Sequence, residues 1–239
     1  MRVLLTRAEP DAGRTAAALA KLGHEAVPAP VTWIRHTGAA LPPGRFDAVA
    51  ATSHHAFGEG GASLDRGLAV FAVGRRTAEA ARSAGFRDVR VGAGDASRLG
   101  DLLRLTLPRP ARVLYLAARD RKPALETALA SAGYGVAVAE VYAAEALDRW
   151  PLAACDALRG GTVDAALHYS RRGADLTLAL AEQEGLEDAV LLLRHACLSR
   201  DAAEPLLTRR VPSVAIAERP DEEALLALLP GSPSVQPVR

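Results

Sequence analysis

The stretch Arg2-Val3-Leu4-Leu5-Thr6-Arg7 sets a pattern that the rest of the chain repeats. A short apolar run is followed by an alanine- and leucine-rich segment with helical spacing, which ends at Gly23 where a helix C-cap belongs. The same order returns at Arg112-Val113-Leu114-Tyr115-Leu116-Ala117, and its helix ends at Gly133. Alternation of strands and helices predicts parallel sheets covered by helices, so the fold class is α/β.

Short apolar runs of this kind recur along the chain and read as buried strands. The predicted strands are Val3–Leu5, Ala48–Ala51, Leu68–Val73, Val113–Leu116, Val136–Val141 and Ala165–Leu167. Three further segments of the first half match segments of the second half in the same order. These are Asp47–Ser53 with Asp164–Ser170, Ala72–Ala78 with Cys197–Ala203, and Val89–Leu105 with Val214–Leu229. The chain is therefore predicted to contain two copies of an α/β unit of roughly 110 residues.

The order of the repeats allows two domain arrangements. In one, two consecutive domains divide near Arg109-Pro110. In the other, the first strand and helix belong with the second half, and the middle of the chain is an inserted domain. The chain then crosses between domains at the equivalent segments Pro28–Ile34 and Glu140–Ala144. Composition alone leaves both arrangements open.

Composition excludes several classes of protein. The chain has 239 residues, of which 49% are hydrophobic and 24% charged, and its net charge is only +1. Such a balance gives no field that attracts nucleic acid or an anionic membrane. No apolar run approaches the roughly 18 residues needed to span a bilayer. Cys155 and Cys197 are too few for a disulfide framework, so we expect a soluble cytoplasmic protein with reduced cysteines.

Several short segments, taken in order, resemble those of the uroporphyrinogen-III synthase family. The segments are Leu5-Thr6-Arg7, Leu22–Pro28, Phe46–Val49 leading to Thr52-Ser53, Ala72–Ala78, Gly133-Tyr134 leading to Val141-Tyr142, and Leu167–Arg172. The resemblance covers nearly the full length, to about Leu229. No single segment is specific to the family, but the ordered set is.

The resemblance implies two flavodoxin-like, parallel-sheet domains joined by a two-stranded linker, with the inserted arrangement. One domain then comprises residues 1–34 and 145–239, and the other residues 38–140, with linker strands at 34–38 and 140–145. The family binds its tetrapyrrole in the cleft between these domains.

The resemblance also implies a lyase that needs no cofactor. Such an enzyme releases water from hydroxymethylbilane and closes the macrocycle with inversion of its last ring, ring D, to give uroporphyrinogen III. The bilane can close without inversion unaided, so catalysis must be mainly conformational. We expect a monomer with this linear tetrapyrrole as its partner, and neither nucleic acid nor membrane.

Because the bilane carries eight carboxylates, polar loops after predicted strands are candidate binding sites. The candidate substrate-binding residues are Thr6, Arg7, Thr52, Ser53, His54, Gly74, Arg75, Thr77, Tyr169, Ser170 and Ser199. Any one of these could instead be an ordinary helix N-cap or turn residue. The set together favours a ring of anion-binding loops.

Tyr142 is the candidate catalytic residue. It matches the tyrosine after valine that the family is thought to use as an acid, and a neutral phenol can donate a proton at pH 7. The alternative is an aromatic side chain that packs at a domain hinge.

Two other features bear on rival functions, one in favour and one against. The second Gly-x-x-Thr-Ala turn reads Ser199-Arg200-Asp201-Ala202-Ala203, which lacks the glycine and threonine and suits a non-catalytic binding or sensor protein. A flavin or nucleotide protein is disfavoured, because Gly92-Ala93-Gly94 lacks the third glycine of a dinucleotide fingerprint.

Overall fold

The computed structural model describes residues 1–58 and 64–231 and divides into two compact units. Unit 1 comprises Met1–Trp33 with Glu145–Arg239, and unit 2 comprises Ile34–Ala144. Residues 59–63 of the predicted inserted domain, and 232–239 of the other, lie outside the described residues.

Strands and helices alternate along the described chain. The strands are β1 (Arg2–Leu5), β2 (Glu25–Pro28), β3 (Thr32–His36), β4 (Ala48–Ala51), β5 (Ala69–Ala72), β6 (Val89–Val91), β7 (Arg112–Ala118), β8 (Gly135–Ala146), β9 (Ala165–His168), β10 (Arg194–Cys197) and β11 (Val214–Ile216). The helices are α1 (Asp11–Lys21), α2 (Arg75–Ser83), α3 (Ala96–Thr106), α4 (Ala124–Ser131), α5 (Leu152–Arg159), α6 (Arg171–Gln183), α7 (Glu187–Leu191), α8 (Arg200–Thr208) and α9 (Glu222–Leu226). A short 3-10 helix spans His54–Phe57.

Unit 1 is built on a five-stranded sheet in the order β2-β1-β9-β10-β11, and its strand pairs are parallel. Val3 pairs with Ala165 and Leu5 with Leu167, so the first strand joins a sheet formed mainly by the second half of the chain. This pairing is the one that the inserted arrangement requires. It is the 2-1-3-4-5 order of flavodoxin-like sheets.

Unit 2 repeats that order from a different starting point. Its sheet runs β3-β8-β7-β4-β5-β6, and the pairs from β8 to β6 are parallel. When β7 and β8 take the places of β1 and β2, strands β4, β5 and β6 correspond to β9, β10 and β11. These correspondences are the ones that the sequence repeat predicts, and the α/β fold class is confirmed.

The two segments where the chain passes from one unit to the other differ in regularity. The strand predicted at Val136–Val141 and the crossing after it form one continuous strand, β8, whereas the equivalent N-terminal segment breaks into β2 and β3. Pro30 lies in that break, and proline has no N–H for a sheet hydrogen bond. No proline occurs within β8.

Side chains on the two faces of each strand belong to different cores. In unit 1, Val3 and Leu5 pack with Leu19 of α1, while Leu4 packs with Leu158 of α5 on the other face. Unit 2 is likewise covered on both faces, by α3 and α4 on one side and by α2 on the other. Burial on both faces explains why these strands are continuously apolar. Among the described residues, no helix combines the length and apolar character needed to cross a membrane.

Two buried histidines lie side by side on neighbouring strands of unit 1. Nε2 of His168 is 2.9 Å from Nδ1 of His195, whose Nε2 is 3.0 Å from the Val190 carbonyl oxygen. A carbonyl only accepts, so neutral His195 donates from Nε2 and accepts at Nδ1 from His168. Burial lowers the pKa of His168 to about 3 and that of His195 to about 4. Both rings therefore stay neutral in the folded protein near pH 7.

We predict that the free energy of unfolding decreases as the pH falls from about 6.5 toward 4. In this window the unfolded histidines bind protons and the folded ones do not, at about 1.4 kcal/mol per pH unit for each histidine. Above pH 7 the contribution is fully present. Thermal unfolding across this range measures it, and His168→Gln should flatten the decrease. The exposed His36→Gln is the control, and equal pH slopes for the two variants would contradict the prediction.

Candidate functional site

The strand order of each sheet reverses at one point, and ligands of such sheets bind beside it at the carboxyl ends of the strands. In unit 1 the reversal lies between β1 and β9, which are followed by Thr6-Arg7 and Tyr169-Ser170. In unit 2 it lies between β7 and β4, and Thr52-Ser53 follows β4. These candidates therefore lie where this fold places its ligands, whereas Gly74, Arg75 and Thr77 follow β5 and Ser199 follows β10, one strand away from the reversal.

Three candidate serines are N-caps. The Oγ atoms of Ser53, Ser170 and Ser199 accept hydrogen bonds from backbone N–H groups two or three residues later, at 3.3, 3.0 and 3.2 Å. Capping alone accounts for serine at these positions. A hydroxyl that accepts still has a proton to donate, so capping leaves Ser170 and Ser199 able to bind a carboxylate oxygen.

Two candidate threonines are buried. Thr6 donates from Oγ1 to the Leu167 carbonyl oxygen at 2.8 Å, which ties the end of β1 to β9. Thr77 is buried in the first turn of α2. Burial indicates structural roles for both side chains.

Gly74 precedes α2 and differs from the glycine that follows β6. A Cβ added to Gly74 would meet nothing within 4 Å, and the backbone is extended with φ −162°. A Cβ on Gly92 would lie 3.2 Å from the Val73 carbonyl oxygen and 3.3 Å from that of Ala72. Contacts within the chain thus explain glycine at 92 but not at 74. Arg75, beside Gly74, is exposed.

Tyr142 lies in β8 and contacts the end of β4. Its side chain is hydrogen-bonded to Ser53, and its ring centroid is 5.6 Å from that of His55. The residue is only 8% exposed. Burial raises the pKa of the phenol, and the hydrogen bond to Ser53 partly opposes this. Tyr142 is therefore a neutral group that carries a proton at pH 7.

His54, another sequence candidate, contacts a neighbouring arginine. Its Nε2 is 2.7 Å from Nη2 of Arg76. A guanidinium donates and never accepts, so this nitrogen of His54 is an acceptor.

Tyr115 was not among the sequence candidates, although it contacts one of them. Its hydroxyl is 2.8 Å from Oγ1 of Thr52, and burial raises its pKa. The sequence assigns Tyr115 to the buried run Val113–Leu116, which is correct for its ring. Only the pairing of β4 with β7 shows that its hydroxyl reaches the polar end of the sheet.

Arg7 of unit 1 is enclosed by acidic and aromatic groups. It forms ion pairs with Asp11 at 2.7 Å and Glu222 at 3.1 Å, and its guanidinium carbon is 4.0 Å from the Tyr169 ring centroid. Burial raises the pKa of Tyr169. Arg7 and Tyr169 were candidates from the sequence, but neither carboxylate was. Asp11 follows Arg7 by four residues, but Arg7 lies before the start of α1, so the helical spacing rule gives no signal for this pair.

These features define a class of protein: two α/β units of flavodoxin-like strand order, with hydroxyl, phenol and guanidinium groups at the carboxyl ends of their strands. A family model described as uroporphyrinogen-III synthase HemD matches residues 13–227. The chain belongs to the uroporphyrinogen-III synthase family, whose members are hydro-lyases of tetrapyrrole biosynthesis.

Solved structures agree with the fold. The uroporphyrinogen-III synthetase of Helicobacter pylori is 19% identical with a TM-score of 0.65, covering 95% of this chain and 98% of its own. A mutant uroporphyrinogen III synthase of Thermus thermophilus is 22% identical with a TM-score of 0.52, covering 92% of this chain and 94% of its own. No match was found among curated protein sequences.

We predict opposite effects of serine at the two glycines. Gly74→Ser should keep or slightly raise stability, since serine is the better N-cap by a few tenths of a kcal/mol. Gly92→Ser should lose about 1–3 kcal/mol, because its Cβ is forced against backbone carbonyls. Urea unfolding measures both, and an equal loss in the two variants would mean that packing also requires Gly74.

Proposed function

We propose that this chain converts hydroxymethylbilane into uroporphyrinogen III and water. The family match over residues 13–227 carries this proposal. The hydroxyl of the bilane leaves with a proton as water, which gives an azafulvenium cation. The substituted carbon of the last ring attacks it, and the spiro intermediate opens and recloses with that ring inverted. The reclosed macrocycle then loses a proton, which gives the neutral product.

Tyr142 is proposed as the acid that protonates the departing hydroxyl. Its raised pKa keeps the proton on the phenol until it is needed, and the hydrogen bond to Ser53 fixes the hydroxyl. The ring lies among apolar side chains of β4, β7 and β8, which also hold it in place. A positioned acid of this kind acts on the leaving group alone, whereas the choice of product isomer depends on how the bilane is folded.

The strand-end groups are proposed to hold the carboxylates of the bilane. Ser170 and Ser199 each retain a hydroxyl proton beside a helix N-terminus. The Ser53 hydroxyl is bonded to Tyr142, so at this position the backbone N–H groups of the 3-10 helix would bind the carboxylate. Gly74 leaves the N-terminus of α2 without a covering side chain, next to the exposed Arg75. Thr52, held by Tyr115, and His54 would complete the set in unit 2. The enzyme is further proposed to act as a cytoplasmic monomer. We also propose that it binds no nucleic acid, and its net charge of only +1 supports this.

The direct test is the isomer ratio formed from freshly prepared hydroxymethylbilane. Because unaided closure gives the type I isomer, we expect the protein to increase the type III fraction in proportion to its concentration. Chromatography of the oxidised porphyrins measures the two products. Type I alone at every protein concentration would exclude the enzyme and favour the binding or sensor protein instead.

Tyr142→Phe should lower turnover about a hundredfold, because the ring remains but its proton is lost. Stability should change little, and the remaining product should still be type III. The matched control is Tyr134→Phe, which removes a buried hydroxyl that donates to the Leu107 carbonyl oxygen at 2.8 Å. The control should lose stability but keep its turnover. Normal turnover by Tyr142→Phe at neutral pH would remove Tyr142 from the catalytic role.

A further inference from the structure

One carboxylate oxygen in unit 1 lies within reach of donors from three separate elements. Oε1 of Glu222 accepts from Nη1 of Arg7 at 3.1 Å and from the Thr15 hydroxyl. The Tyr169 hydroxyl lies 3.3 Å from the same oxygen. These donors come from the segment after β1, from α1, and from the segment after β9. Their convergence on one oxygen forms a binding site for a carboxylate, with the protein's own glutamate inside it.

Glu222 is the second of two carboxylates that form ion pairs with the Arg7 guanidinium. Arg7 is already paired at 2.7 Å with Asp11, whose side chain is 14% exposed. Glu222 is 30% exposed and lies farther from Arg7, at 3.1 Å. Asp11 is also paired with Arg14 at 3.5 Å, so Asp11 has two cations beside it, whereas Glu222 has only its share of Arg7. The more exposed glutamate costs less to displace, because its carboxylate can return to water.

The position of Glu222 in its helix also permits displacement. Asp221, not Glu222, caps α9, since its Oδ1 accepts from the backbone N–H of Ala224 at 2.8 Å. A rotation of the Glu222 side chain toward solvent therefore leaves the N-terminus of the helix capped. The apolar anchors of the helix, Leu225 and Leu226, are unaffected.

We infer that Arg7, Thr15 and Tyr169 form a subsite for one ligand carboxylate and that Glu222 occupies it as an internal competitor. The entering carboxylate replaces the leaving one, so the charge of the cluster does not change. The subsite lies at the β1/β9 reversal, where this sheet order places ligands. That the ligand is a carboxylate arm of a tetrapyrrole rests on the proposed function.

Equilibrium binding of uroporphyrin III, a stable octacarboxylate, tests this exchange. Removing the charge in Glu222→Gln should tighten binding about threefold or more, and Glu222→Ala should tighten it further because no acceptor remains. Glu223→Gln makes the same charge change on the next, exposed residue of α9 and should leave the affinity within about a factor of two of the wild type. Arg7→Gln should weaken binding, because the site loses its cation.

Equal affinities for Glu222→Gln, Glu223→Gln and the wild type would overturn the exchange, as would weaker binding in Glu222→Gln or no binding in any of them. The isomer assay, run on the same preparations, separates this result from the proposed function. Type III product with equal affinities removes only the exchange. Tighter binding by Glu222→Gln without type III product retains the subsite and removes the enzyme.

Discussion

The parallel pairing of β1 with β9 is the constraint on which the rest of the structure depends. Val3 and Leu5 are buried against Ala165 and Leu167, and the Thr6 hydroxyl closes the strand end across 161 positions of sequence. A pairing this distant obliges the chain to leave unit 1, complete unit 2 and return. It also brings the residues after two separate strands together, which is why the aromatic ring of Tyr169 lies against Arg7.

Much of the fold could be predicted because its signals are local. Apolar runs, helix ends and the repeat are each carried by neighbouring residues. All six predicted strands are present: Ala48–Ala51 has the predicted bounds, and the other five differ by a residue or more at one or both ends. The structure differs from the sequence pattern at two element boundaries. Pro30 interrupts one of the segments that pass between the units, whereas β8 continues unbroken, and α9 ends at Leu226 although an apolar pattern runs on to Leu229.

The candidate site residues also differ in whether a local signal identifies them. Ser53, Ser170 and Ser199 could be identified because an N-cap is defined by its own helix. Glu222 and Tyr115 could not, because their partners at 7 and 52 lie in strand-end segments that only the sheet topology brings near. Sequence thus identifies groups that act alone, and the structure identifies those that act on each other.

The division of unit 1 into two separate stretches of chain also has a consequence for synthesis on the ribosome. Every strand of unit 2 lies within residues 34–144 except the start of β3 and the end of β8, so this unit can fold as soon as β8 has emerged. Strand β1, by contrast, has only β2 to pair with until β9 is made. At typical translation rates this wait is on the order of ten seconds. Until then the side of β1 that pairs with β9 is an open, apolar strand edge, and such edges are sites of aggregation.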